Sequence, residues 1–183
     1  MVYIALLRGI NVGGKNVIKM ADLKSTLEAM GLLDVRTYIQ SGNVIFRSEE
    51  DEESLRKRME DQIEKVFGFP VPVVLRNASE WEEIIRSFPF SDEEVAKAEA
   101  LAKVESVYVA LLLQAPSQAG MEQLDAYRSA TDEYLITGRD VYLLLHHSIR
   151  LSKLAGNLHK LGVPSTVRNW KTIKKLAEMV QQA

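Results

Sequence analysis

The chain contains no cysteine. That excludes disulfides, thiolate metal sites and cysteine nucleophiles, and it matches a reducing compartment. Long apolar runs are missing too. Met1 to Leu7 is apolar, but Arg8 and Gly9 interrupt it too early for the core of a signal peptide. Nothing approaches the roughly 20 apolar residues of a membrane span. The expectation is a soluble, cytoplasmic protein with no membrane partner. No charge sign dominates either. A formal net charge of −2 over 183 residues gives no overall attraction to nucleic acid, so such a partner has to be met by a local patch. What is present is ordinary for a globular protein, with 46% hydrophobic and 26% charged residues, enough to build one large core or two small ones.

Periodicity gives the order of elements. Val2 to Leu7 reads as a buried strand, followed by a loop with three glycines, Gly9, Gly13 and Gly14. Met20, Leu23, Leu27 and Met30 recur at helical spacing up to Gly31. Val35 to Gln40 and Val44 to Phe46 read as strands joined by the tight turn Ser41-Gly42-Asn43. Leu55, Met59, Ile63 and Phe67 mark a second helix, Val71 to Leu75 a further strand, and Trp81, Ile84 and Ile85 a short helix after it. Phe90 to Lys103 reads as a connector with some helix. The order then begins again: a strand over Val104 to Leu113, a helix through Met121, Leu124 and Tyr127, and a hairpin around Gly138-Arg139-Asp140. A helix follows through Leu151, Leu154, Leu158 and Leu161, then a strand over Ser165 to Arg168 and a last helix from Trp170 to Val180.

The halves echo each other in letters as well as in order. Val2-Tyr3-Ile4-Ala5-Leu6-Leu7 matches Val107-Tyr108-Val109-Ala110-Leu111-Leu112, and Gly68 to Pro72 matches Gly162 to Pro164. The pairs Arg76-Asn77 and Arg168-Asn169 follow, each with a tryptophan soon after, Trp81 and Trp170. The expected fold is α+β: two ferredoxin-like βαββαβ repeats with predominantly antiparallel sheets and both helices of a unit on one sheet face. The boundaries are 1–90 for the first repeat with its extra helix, 91–103 for the connector and 104–183 for the second repeat with its C-terminal helix.

Chemistry is sparser. Gly9 to Lys15 fits the spacing G-x-x-x-x-G-K after a strand, where glycines let backbone N–H groups turn toward an anion and lysine adds charge. Asn16 stands where a nucleotide triphosphatase needs the Ser or Thr that holds Mg²⁺, and the helix begins too late to cap a phosphate. A generic anion loop and a plain flexible turn both remain open. From Arg150 to Ala177 there are seven basic residues (Arg150, Lys153, Lys160, Arg168, Lys171, Lys174, Lys175) and no acidic one. Trp170 beside Arg168 and Asn169 is the sharpest cluster there, since an aromatic face with cations can hold a base and its phosphate. Trp170 also fits the apolar stripe of the last helix, so core and site are both open for it. His146, His147 and His159 have no zinc-site spacing, and no G-x-S-x-G elbow is present. Neither a metal nor another cofactor is expected.

The strings Ala5 to Lys15, Thr37 to Phe46 and Arg168-Asn169-Trp170-Lys171-Thr172, with Ser152-Lys153-Leu154, closely resemble a bacterial family described as domain of unknown function 1697. The resemblance covers essentially the whole chain and implies a fold of duplicated α/β plaits. It implies no activity. The family's motif residues fall on Arg8, Asn11, Gly13, Gly14, Lys15, Ser41, Gly42, Asn43, Ser152, Lys153, Arg168, Asn169 and Trp170. Ile149-Arg150-Leu151 departs from the pattern, which often has a glycine near that point.

The leading expectation is noncatalytic binding of an anionic ligand (RNA, single-stranded DNA or a nucleotide) at a composite site of the two halves. The ligand-binding candidates are Arg8, Asn11, Gly13, Gly14, Lys15, Ser41, Asn43, Lys153, Arg168, Asn169 and Trp170. One rival is an enzyme for a small phosphorylated or carboxylated metabolite, with Lys153 or Ser41 as reacting group; no general base stands out for it. Another is a protein-interaction module using a sheet edge. The oligomeric state is not readable from the sequence.

Overall fold

A computed structural model describes residues Met1–Ala183. The first half runs β1 (Val2–Leu7), α1 (Met20–Ala29), β2 (Leu33–Tyr38), β3 (Asn43–Arg47), α2 (Glu52–Phe67), β4 (Val73–Asn77) and α3 (Ala78–Arg86). The second has α4 (Asp92–Ala102), β5 (Val107–Leu112), α5 (Gln118–Asp125), β6 (Asp132–Thr137), β7 (Asp140–Leu145), α6 (Lys153–Gly156), β8 (Ser165–Asn169) and α7 (Trp170–Gln181). Each half forms a four-stranded antiparallel sheet, in the orders β2-β3-β1-β4 and β6-β7-β5-β8. This is the duplicated ferredoxin-like arrangement.

Alternation along the strands sends every second residue to the helical face. In the first half Tyr3, Ala5, Leu7, Val44, Phe46, Val73 and Leu75 join Leu23 and Leu27 of α1 and Leu55, Met59 and Ile63 of α2 in one buried cluster. The other faces are buried as well. Ile4, Leu6, Ile45 and Val74 in the first sheet, and Val109, Leu111 and Tyr142 in the second, are almost fully enclosed.

The echo between the halves holds at the level of single pairs. Tyr3 sits opposite Asn77 and Tyr108 opposite Asn169; Arg8 N–H donates to Pro72 O and Leu113 N–H to Pro164 O, both at 3.0 Å. With Asn77 and Asn169 aligned, Trp81 corresponds to the buried Ile173, and Trp170 corresponds to Ala78. The two tryptophans therefore do not occupy equivalent positions, despite their similar spacing from the Arg-Asn pairs.

Two segments differ from the sequence expectation. Phe90 to Lys103 carries a full helix, α4, whose start is fixed by a capping box: Ser91 Oγ accepts from Glu94 N–H while Glu94 returns a carboxylate to Ser91 N–H. The leucine repeat from Leu151 to Leu161 is not one helix. It is a 3₁₀ turn at Ile149–Leu151, the single turn α6, and a second 3₁₀ turn at Leu158–Leu161. Ser152 caps α6 and so ends the turn before it, leaving Leu151 73% exposed.

The chain divides into two compact units, Met1–Glu83 with Lys175–Ala183, and Ile84–Lys174. The divisions fall inside α3 and α7. In the first unit Arg36 Nη2 donates to Met179 O near the end of α7 (3.0 Å), and in the second Tyr142 Oη donates to Ile84 O (2.7 Å).

Candidate functional site

In the first unit the glycine-rich loop is a miniature hairpin. Val12 and Lys15 form a bridge, and Gly13 and Gly14 between them take φ of +59° and +72°, which a type I′ turn needs at both central positions. Asn11 is its brace: its side chain accepts from Ile18 N–H (2.8 Å) and donates to Ile18 O (2.9 Å) and Gln40 O (2.7 Å). Arg8 and Lys15 are exposed, and neither side chain is ion-paired.

The turn after β2 leans on the same loop. Gly42 has φ +84°, and a Cβ there would stand 2.8 Å from both Leu7 Cβ and Ile10 Cδ1. Its carbonyl accepts from Leu7 N–H at 2.8 Å. Asn43 is fully buried and donates to Tyr38 O (3.0 Å) and Ser41 Oγ (2.9 Å). Asn11, Gly42 and Asn43 thus make a rigid base from which Arg8 and Lys15 extend.

In the second unit the Arg-Asn-Trp cluster separates into three jobs. Arg168 is only 9% exposed and donates to Thr166 Oγ1 (2.7 Å) and Val167 O (3.0 Å); burial pulls its guanidinium down to about 10, which still leaves it charged at neutral pH. Arg76 is its buried counterpart in the first half, and donates to Leu75 O at 2.8 Å. Asn169 Oδ1 accepts from Thr172 N–H (2.9 Å), capping α7 as Asn77 Oδ1 caps α3 through Glu80 N–H (2.9 Å). The repeated Arg-Asn pair is therefore part of the frame.

Trp170 is different. It is half-buried and stacked on Phe88, with ring centroids 4.3 Å apart and planes inclined by 21°. Together they line a cleft of about 540 Å³ with Lys171 and Lys174 and with Asp92, Glu99 and Glu105. None of these five charged side chains is ion-paired. Lys175, one residue further on, is engaged with Glu178 at 3.1 Å.

Lys153 lines another cleft, of about 510 Å³, with Arg128, Asp132 and His147. Asp132 is buried and accepts from His147 Nε2 through Oδ1 and from Ser152 Oγ (2.9 Å) through Oδ2. Ser152 Oγ also accepts from Ala155 N–H at 3.0 Å. The carboxylate is the hub, with serine and histidine on its two oxygens. A nucleophile relay needs the histidine in the middle, so this arrangement fixes positions and does not activate Ser152. Arg128, Asp132 and His147 are absent from the sequence-derived site set. Their signal was available in the hairpin: counting out from the turn at Thr137 and Asp140 sets Asp132 opposite Leu145, two residues before His147.

No helix is long and apolar enough to cross a membrane. The conserved bacterial protein SP0830 from Streptococcus pneumoniae is similar in structure, with 26% sequence identity, 98% of each chain covered and a TM-score of 0.70. No curated protein matches the chain. The family model described as protein of unknown function (DUF1697) matches residues 1–142, and the chain belongs to that family.

Proposed function

We propose that the protein binds an anionic ligand that carries an aromatic ring, a nucleotide or a short single strand of nucleic acid, without transforming it. The observation that supports this reading best is the cleft in which a half-exposed indole meets two unpaired lysines. A base stacked on an aromatic side chain contributes about 1–3 kcal/mol, and it does so for any base. Lys171 and Lys174 supply charge for a phosphate, while Asp92, Glu99 and Glu105 offer acceptors for the N–H edge of a base. The volume, about 540 Å³, lies in the range of sites that enclose a small organic ligand. Phe88 holds the indole in one orientation, which lowers the ordering cost of stacking. In the first unit the unpaired Arg8 and Lys15 on their braced hairpin are a second place where a phosphate backbone would find cations.

The test uses the protein's own fluorescence. Trp81 is 1% exposed and Trp170 half-exposed, so quenching by an added ligand reports the cleft. Titration with a mononucleotide and with a short oligonucleotide is expected to quench the emission. Lys171→Gln with Lys174→Gln should weaken both ligands about tenfold or more, since charge-assisted hydrogen bonds contribute about 1.5–3 kcal/mol each. With two phosphate contacts on a single strand, log K should fall against log salt with a slope of about −1.4. Affinity that stays flat as salt rises, or no quenching by either ligand, refutes the reading.

A further inference from the structure

The Lys153 cleft is built differently from the Trp170 cleft, and we infer that it is a separate site for the phosphate group of a small phosphate monoester. Three segments converge on it. Arg128 follows α5, Asp132 opens β6 with Ser129 and Thr131 just before it, and His147 and Lys153 come after β7.

The arginine arrives pre-oriented. Its Nε donates to Asp125 Oδ1 at 2.9 Å, its guanidinium lies 4.4 Å from the centroid of the Tyr134 ring, and Tyr134 Oη donates to the same Asp125 oxygen at 2.9 Å. The ion pair uses Nε alone, so the two terminal nitrogens keep the fork that suits a tetrahedral oxyanion. Lys153 is exposed, and its ammonium makes no ion pair. Its backbone is fixed by the neighbouring Ser152, whose hydroxyl donates to buried Asp132.

Asp132 is the one acidic group in the cleft, and its charge is not open to the ligand. Both oxygens are engaged, one by His147 Nε2 and the other by Ser152 Oγ at 2.9 Å and Leu154 N–H at 3.5 Å. His147 Nδ1 lies 3.2 Å from Ser148 O, so contacts at both ring nitrogens fix the orientation of the ring. The hydroxyls of Ser129 and Thr131, 3.2 Å apart, complete the polar wall.

Arg128, Lys153 and the one hydroxyl hydrogen that the Ser129–Thr131 pair leaves free present more donors than one carboxylate takes, which favours phosphate. The volume of about 510 Å³ far exceeds a bare anion, and the exposed Leu151 in the lining offers apolar surface to an organic remainder. The ligand class is therefore a phosphate monoester of sugar size.

The experiment titrates the full chain with inorganic phosphate and with ribose 5-phosphate, read by calorimetry and by the imidazole resonances in NMR. Ribose 5-phosphate is expected to bind more tightly than inorganic phosphate and to shift the His147 resonances but not those of His159, which does not line the cleft. Lys153→Gln and Arg128→Gln, both at exposed positions, should each weaken ribose 5-phosphate about tenfold. Lys171→Gln with Lys174→Gln should leave it unchanged, so this site and the Trp170 cleft fail separately. Absence of binding by either phosphate overturns the inference, as does undiminished affinity in Lys153→Gln and Arg128→Gln. Equal affinity for the two phosphates overturns the monoester assignment.

Discussion

Gly42→Ala is the substitution whose effect follows most directly from the structure, and Gly138, in the corresponding turn of the second half one residue before the position equivalent to Gly42, supplies a control. Gly42 stands at φ +84°, a conformation that costs a residue with a Cβ about 1–2 kcal/mol. The new Cβ would also stand 2.8 Å from Leu7 Cβ and Ile10 Cδ1, both on buried residues. Overpacking of this kind costs about 1–3 kcal/mol. The turn cannot simply move away, because its carbonyl is held by Leu7 N–H at 2.8 Å. The expected loss is about 3 kcal/mol, and for a chain of this size that lowers the melting temperature by about 6–12 °C. Gly138 sits in the matching turn of the second half with φ +59°, and nothing lies within 4 Å of the position its Cβ would take. Gly138→Ala should therefore show the backbone cost alone, about 1–2 kcal/mol. Thermal melting by circular dichroism of both variants measures the difference. Equal losses in the two would mean that Gly42 is needed only for its dihedral angle, and that the close approach of the turn to Leu7 and Ile10 carries no energy.

Two further outcomes concern the frame. Asn169→Ala and Asn77→Ala should each destabilise by about 1 kcal/mol through loss of the helix cap, and Asn169→Asp should restore the stability while Asn169→Ala does not; denaturant unfolding measures this. Asp125 is held below the usual aspartate range first by the Tyr134 hydroxyl and then by Arg128. A depressed carboxyl contributes stability that is complete above its ordinary value, about 4, and is lost as pH falls below that. The melting-temperature gap between the parent and Asp125→Ala should thus be constant near neutrality and close in acid; a gap that persists unchanged at low pH sinks the assignment.

Much of the fold was legible because apolar strands and their turns are local. The strand expected at Val2 to Leu7 coincides with β1 residue for residue, and the one expected over Val104 to Leu113 contains the shorter β5, Val107–Leu112. The leucines of the 149–161 segment misled for a physical reason: spacings of three and four suit successive 3₁₀ and α turns as well as a continuous helix, and the side chains of Ser148 and Ser152 cap the separate turns that replace it. At the candidate site the residue types were visible, but their directions were not. Arg168 reads as a free cation in a basic stretch, yet on β8 it is buried and bonded to Thr166 and Val167. Arg128 and His147 match no motif, and the one sequence signal for that cluster is the hairpin register that sets Asp132 opposite Leu145, near His147.

The duplication provides a way to separate frame from function. A feature that recurs at equivalent positions in both halves is explained by the fold, which both halves share. Arg76 with Arg168, Asn77 with Asn169 and Pro72 with Pro164 fall in that class, and each performs the same structural task twice. What remains is a short set of differences. The braced glycine hairpin with Arg8 and Lys15 has no counterpart after β5. Trp170 stands where the first half has Ala78, and Lys153 lies where the continuous α2 has been replaced by short turns around a buried aspartate. Each difference alters a segment that the other copy builds in another way. Arg8 and Lys15 on the hairpin and Lys153 in its cleft are unpaired cations, whereas the Trp170 cleft carries two unpaired lysines and three unpaired carboxylates. The differences between the copies, and not the repeated frame, are therefore where the proposed binding sites are to be tested.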